Sequence, residues 1–122
     1  MNRARKRFPQ VNFRSYDLLH LGDIEADTHD VVCMGYVLHG LSPEFRRYVV
    51  AQSSRIARQH VLVFDYCCEG SWFVRLIERI EGPNYPGFLA EDRHEEFANA
   101  GLYVDHQEQV SYFGGYWFCS TS

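Results

Sequence analysis

Polar and aromatic side chains that could bind a ligand or accept a proton follow three apolar stretches of this 122-residue sequence. Asp17 follows the first stretch, Tyr36 and His39 follow the second, and Asp65 and Tyr66 end the third. In an open parallel sheet, ligands bind outside the carboxyl ends of the strands, so these residues form a candidate site. Each also has a structural explanation: the aspartates can cap turns, His39 can lie at the surface, and Tyr36 can serve only in packing.

The three stretches have strand-like composition, and a helical pattern lies between the second and the third. The strands are predicted at Val11 to Phe13, His29 to Gly35 and His60 to Tyr66. The last two are near-continuous apolar runs, which are typical of strands covered on both faces. Ser42-Pro43 predicts the start of the helix, with serine as the N-cap and proline at the first helical position.

The C-terminal half continues the alternation. A second amphipathic helix is predicted after Ser71, followed by the loop PNYPGF, a helix from about Glu91 to Ala100, and two strands. Gly114-Gly115 suggests a bulge in the last strand. Strands and helices in this order predict an α/β fold in one domain, residues 1–122: an open Rossmann-like sheet that ends in an antiparallel hairpin.

Composition excludes several functional classes. The net charge is −4 and the acidic residues are scattered, which argues against a nucleic-acid partner. The basic cluster near the N-terminus is interpreted as a solvated helix face. No apolar run approaches the ~18 residues of a membrane span, and the first residues lack a signal-peptide core, so we expect a cytoplasmic protein without membrane contact. The four cysteines lack metal-site spacing, which favours reduced thiols and predicts no metal.

A series of short motifs resembles the class I S-adenosylmethionine-dependent methyltransferases, of the type 11/12-like kind. The resemblance covers essentially the whole chain in order and spacing, and it implies a methyltransferase of the same Rossmann-like fold. The motifs that carry it are Ala4-Arg5-x-Arg7-Phe8-Pro9-x-Val11-x-Phe13, Asp17-Leu18, Asp30-Val31-Val32, Val37-Leu38-His39-x-Leu41, Arg55-Ile56-Ala57-Arg58 before VLVFDY, and Phe97-Ala98-x-Ala100-Gly101-Leu102.

The resemblance implies S-adenosylmethionine as the cofactor and assigns four residues to it. Asp17 would accept a hydrogen bond from the adenine amino group, and the backbone of Leu18 would donate one. Gly35 and Tyr36 would lie beside the methionyl part, close to the transferred methyl group.

The same resemblance suggests how a small-molecule acceptor would be handled. His39 is the first candidate for the catalytic base where the acceptor must lose a proton, and Tyr36 would shape the pocket. Asp65 and Tyr66 would contact the acceptor, as would Tyr85 in the PNYPGF loop.

Compared with the family pattern, the chain corresponds to the C-terminal two-thirds, so the first two strands and the glycine-rich turn are expected to be absent. The sequence contains no GxG. This difference leaves two functional hypotheses: a small-molecule methyltransferase in a truncated form, or a non-catalytic remnant that acts as a dimer or binds a partner. The strand at Val31 to Met34 would then have an open edge. We expect either the segment around Val11 or a second copy, in a homodimer, to cover that edge.

Overall fold

The computed structural model describes residues 1–67, 80, 92–111 and 114–121. The α-helices are α1 (Asn2–Arg7), α2 (Pro43–Ile56) and α3 (Arg93–Asn99), and the strands are β1 (His29–Gly35), β2 (Ala57–Tyr66), β3 (Tyr103–Gln109) and β4 (Gly114–Ser120). Two 3-10 helices span Leu18–Asp23 and Leu38–Gly40. The predicted helix after Ser71 and the PNYPGF loop, with Tyr85, lie outside the described residues.

The four described strands form one sheet in the order β1-β2-β4-β3. β1 and β2 are parallel, and β4 is antiparallel to both of its neighbours. This arrangement confirms the predicted α/β sheet with a C-terminal antiparallel hairpin.

Helix α2 begins and packs as its sequence pattern predicts. The Ser42 hydroxyl accepts a hydrogen bond from Phe45 N at 3.3 Å, and Pro43 occupies the first turn, where its missing N–H costs nothing. Val49 and Val50 are buried on one face of the helix and belong to the same core cluster as Val61 and Val63 of β2. The helix and the sheet therefore cover each other with apolar side chains.

Helix α3 and the C-terminal hairpin complete the core. The Asp92 carboxylate caps α3 by accepting from His94 N at 2.9 Å, and Gly101 ends the segment with a φ of +83° that favours glycine. Phe97 packs edge to face on Trp117 of β4, with ring centroids 6.1 Å apart, and both side chains are buried.

The predicted strand at Val11 to Phe13 is wrong. These residues form no strand and pair with no part of the described sheet. The carbonyl of Phe13 instead accepts a hydrogen bond from the Arg5 guanidinium at 3.1 Å. A strand is stable only beside another strand, and this segment has no described strand as its hydrogen-bonding neighbour. The expectation that the Val11 segment covers β1 therefore fails as well.

The predicted bulge at Gly114-Gly115 is also wrong. Both glycines stay in regular register with β2, and the irregularity of the hairpin lies in β3, between Val104 and His106. The glycines are instead positions of close approach. A Cβ on Gly115 would lie 2.9 Å from the carbonyl oxygen of Glu108, which is closer than real Cβ contacts come.

No helix in the described part of the chain combines the length and the apolar character that crossing a bilayer requires.

Candidate functional site

Asp65 is the most deeply buried polar residue of the predicted site. It lies near the carboxyl end of β2 with 0% of its surface exposed. Its Oδ2 accepts a hydrogen bond from Leu38 N at 2.9 Å, and its Oδ1 accepts from Tyr66 N at 2.9 Å. Burial raises the pKa of this carboxyl above its usual range, while the Tyr66 N–H and the neighbouring His39 oppose that rise.

His39 is paired with this carboxyl. Its Nδ1 lies 2.9 Å from Oδ1 of Asp65, and only 5% of the residue is exposed. While Asp65 is ionised, the bond requires a hydrogen on Nδ1, so Nε2 is the ring nitrogen that carries the lone pair. The short 3-10 helix Leu38–Gly40 brings both the imidazole and the Leu38 N–H to the same carboxylate. The fold therefore holds the histidine in one orientation and one tautomer.

Aromatic rings surround the pair. Tyr66 meets the His39 ring edge to face, with centroids 4.7 Å apart, and Tyr36 meets Tyr66 in the same way at 5.1 Å. Tyr36 is 47% exposed, so it forms the solvent side of this cluster. The side chains of Tyr36, His39, Asp65 and Tyr66 thus form one contiguous group. The His39 ring is more enclosed than either tyrosine ring.

Tyr36 is held in a strained backbone conformation. Its φ is +55°, in the left-handed region, which costs a non-glycine residue roughly 1–2 kcal/mol. Its N–H donates to the Phe64 carbonyl at 2.7 Å, and this bond anchors the turn that follows β1. Gly114 gives the ring its space, because a Cβ there would lie 2.7 Å from Tyr36 Oη. Strain of this kind is commonly retained at functional sites.

Gly35 precedes this turn and is exposed. A Cβ built on it would meet no atom of the described residues within 4 Å, at the position predicted to lie beside the methionyl group.

Asp17 caps the 3-10 helix Leu18–Asp23, which agrees with its structural explanation as a turn-capping residue. Its Oδ1 accepts a hydrogen bond from Leu19 N at 2.9 Å, and both Asp17 and Leu18 are exposed. The 3-10 helix is attached to α2: the Tyr48 hydroxyl donates to the Leu19 carbonyl at 3.1 Å, and the Arg55 guanidinium donates to that of Leu21 at 3.0 Å. In the part of the chain that the structure describes, no hydrogen bond joins Asp17 to the His39 cluster.

The structure adds to the candidate site two residues that the sequence did not indicate. Leu38 contributes its backbone N–H to Asp65, and Gly114 makes room for Tyr36. Backbone donors leave no trace in side-chain types, and the glycine pair had been interpreted as a bulge. Among residues 1–67, 80, 92–111 and 114–121, no group of three or more His, Cys, Asp or Glu side chains is placed to hold a metal ion.

No protein-family model matches the chain, and no curated protein matches it either. Solved structures do match. A magnesium protoporphyrin IX methyltransferase from Synechocystis PCC 6803 with bound SAH aligns with 99% of this chain and 57% of its own length, at 15% identity and a TM-score of 0.66. An O-methyltransferase family protein from Burkholderia thailandensis aligns with 99% of this chain and 40% of its own, at 16% identity and a TM-score of 0.76.

A mitomycin 7-O-methyltransferase aligns in the same way, over 99% of this chain and 39% of its own, at 12% identity and a TM-score of 0.76. At these identities the likeness concerns the fold, and the chain spans less than two thirds of each of these three structures. Over the part that it spans, the chain has the fold of the class I S-adenosylmethionine-dependent methyltransferases.

Proposed function

We propose that this chain belongs to an enzyme that transfers a methyl group from S-adenosylmethionine to a small organic acceptor. The observation that carries the proposal is the buried His39–Asp65 pair at the carboxyl ends of β1 and β2, in a chain with the methyltransferase fold. Structural neighbours include O-methyltransferases that act on small molecules, among them a mitomycin 7-O-methyltransferase.

The chemistry asks little of the protein beyond positioning. Bound S-adenosylmethionine supplies a methyl group that its sulfonium already activates. The chain must orient an acceptor and take up its proton where the acceptor is a hydroxyl. His39 Nε2 suits the second task, because Asp65 fixes the hydrogen on Nδ1 and stabilises the imidazolium that forms. General-base assistance of this kind contributes about 10²–10⁴ in rate.

The residues assigned to the cofactor fit it in part. No described atom lies within 4 Å of a Cβ built on Gly35, so the described residues leave room there for a ligand such as a methionyl group to approach. Asp17 uses one carboxylate oxygen as a helix cap, and its second oxygen is the one proposed to accept from the adenine amino group. These 122 residues contain no GxG, so the assignments concern only the adenine and methionyl ends of the cofactor.

A second candidate function is a partner-binding role without catalysis. The observation that favours it is the edge of β1, which no described strand covers. In this alternative, His39 and Asp65 remain as a structural pair that fixes the loop after β1.

Calorimetric titration of the chain with S-adenosylhomocysteine tests the proposal. The informative variant is Asp17→Ser, because serine still caps the 3-10 helix but cannot present a second carboxylate oxygen to adenine. Asp23→Asn is the matched control, since Asp23 is an exposed carboxylate at the other end of the same helix. Binding that Asp17→Ser abolishes and Asp23→Asn retains supports the enzyme. Absence of binding by the unmodified chain favours the non-catalytic role.

A further inference from the structure

The 3-10 helix Leu18–Asp23, which Asp17 caps, has little attachment to the protein through its own side chains. None of its residues is buried. Leu19 is 66% exposed, while Leu21 is partly buried and packs against the core. The hydrogen-bond geometry of a 3-10 helix is also poorer than that of an α-helix, so such a segment is weakly held by its own backbone. Its position therefore depends on contacts with the rest of the fold.

The Tyr48 hydroxyl bridges a kink in this 3-10 helix. The backbone departs from helical geometry at His20, where φ is −108° and ψ is 20°. Tyr48 Oη donates to the Leu19 carbonyl at 3.1 Å on one side of the kink, and it accepts from Gly22 N at 3.3 Å on the other. Leu19 is also the residue whose N–H donates to Asp17 Oδ1 at 2.9 Å. Tyr48 therefore fixes the residue that in turn fixes the Asp17 carboxylate.

Arg55 holds the other end of the same 3-10 helix. It lies about two turns after Tyr48 on α2, so both side chains leave that helix on the same face. Its Nη2 donates to the carbonyls of Leu21 at 3.0 Å and Ile24 at 2.5 Å. Its Nε donates to Gln52 Oε1 at 2.7 Å, which orients the guanidinium. A positive charge beside the last carbonyls of a helix is also electrostatically favourable.

We propose that Tyr48 and Arg55 are positioning residues for the cofactor, an inference that rests on the proposed function because it concerns the adenine end of the same site. They hold Asp17 where its second carboxylate oxygen accepts from the adenine amino group. Both act through the backbone of the segment that follows Asp17, without touching the ligand. A carboxylate that is fixed before binding lowers the ordering cost of binding. Arg55 thereby gains a role that its motif, Arg55-Ile56-Ala57-Arg58, did not indicate.

Tyr48→Phe is the informative variant, because it deletes the hydroxyl and keeps the ring, which stacks on Phe45 with centroids 6.0 Å apart. Arg55→Lys is the second variant, since it keeps the positive charge but loses the planar fork of donors. Tyr103→Phe is the matched control, because it removes a hydroxyl from a residue that is 65% exposed on β3. Each chain, once circular dichroism shows that it is folded, is titrated by calorimetry with S-adenosylhomocysteine and with its deamino analogue, in which hydrogen replaces the adenine amino group.

Tyr48→Phe and Arg55→Lys should each raise the Kd for S-adenosylhomocysteine by about tenfold, the worth of one hydrogen bond to a charged group. Both should leave the Kd for the deamino analogue unchanged, because that ligand has no amino hydrogen for Asp17 to accept. Tyr103→Phe should bind both ligands as the unmodified chain does. If the two variants weaken both ligands equally, or weaken neither, the inference is overturned and the proposed function survives. If the unmodified chain does not bind S-adenosylhomocysteine, the proposed function fails and the inference fails with it.

Discussion

Replacing Asp65 with asparagine tests whether the site is built around an ionised, buried carboxylate. The carboxylate accepts from Leu38 N with one oxygen, and from Tyr66 N and His39 Nδ1 with the other, each at 2.9 Å. Asparagine keeps one acceptor oxygen and turns the other into an NH2 group. In either orientation, that NH2 faces at least one buried donor and leaves it without an acceptor.

The magnitude follows from two opposing effects. Losing a hydrogen bond to a charged group costs about 1.5–3 kcal/mol. Removing the buried charge relieves part of the desolvation that raises the pKa of Asp65. We therefore expect Asp65→Asn to lower the free energy of unfolding by about 2 kcal/mol. For a chain of 122 residues this corresponds to a fall in Tm of roughly 8 °C.

Urea denaturation followed by circular dichroism measures this change. Asp105→Asn is the control, because Asp105 is exposed on β3 and accepts a hydrogen bond from the Ser120 hydroxyl, which asparagine can also do. The control should change the free energy of unfolding by less than about 0.5 kcal/mol. If Asp65→Asn costs no more than Asp105→Asn, the carboxylate is not the structural centre that its hydrogen bonds indicate.

Three further predictions concern acidity and packing. Because the pKa of Asp65 in the folded state is raised above 3.8, protonation of this carboxyl favours the folded state. The difference in free energy of unfolding between the unmodified chain and Asp65→Asn should therefore be largest below pH 3.8 and shrink as the pH rises through the folded-state pKa. Urea denaturation of both proteins across that pH range measures this difference, and a constant difference would show that the pKa is not raised. Gly114→Ala should destabilise the chain by about 1–3 kcal/mol, since its Cβ would lie 2.7 Å from Tyr36 Oη. Gly40→Ala should cost less, because no atom of the described residues lies within 4 Å of a Cβ there. Equal losses by thermal unfolding would contradict the crowding at Gly114. Burial raises the pKa of the Cys119 thiol to about 11, so iodoacetamide followed by peptide mass spectrometry should find Cys119 alkylated only after unfolding, and rapid labelling of the native chain would contradict this.

The elements that could be predicted from the sequence are those with strong local signals. Ser42-Pro43 sets the start of α2 through a side-chain cap and a residue that needs no donor. The apolar run HVLVFDY predicts β2, because a strand covered by a helix needs such side chains. Where the local signal was weak, the prediction failed. Val11 to Phe13 has strand-like composition, but composition does not provide a neighbouring strand to pair with.

The candidate site was predicted in part. Its members could be named, because the carboxyl ends of the strands are identifiable once the strands are, and His39, Asp65, Tyr66 and Tyr36 do lie together. Their roles in binding and catalysis stay predictions. What could not be predicted was that His39 is buried and paired with a residue 26 positions along the chain. The sequence was equally consistent with a surface histidine.

By itself, the sequence determined the periodicity, caps and turns of the main elements, because those depend on neighbouring residues and on intrinsic backbone preferences. Only the tertiary structure decided which polar groups meet. The parallel pairing of β1 with β2 brings the 3-10 helix Leu38–Gly40 over Asp65. Once that carboxylate is removed from water, its oxygens require donors, and the Leu38 N–H, the Tyr66 N–H and the His39 imidazole supply them. The site thus depends on contacts between distant segments, which no local pattern of residues encodes.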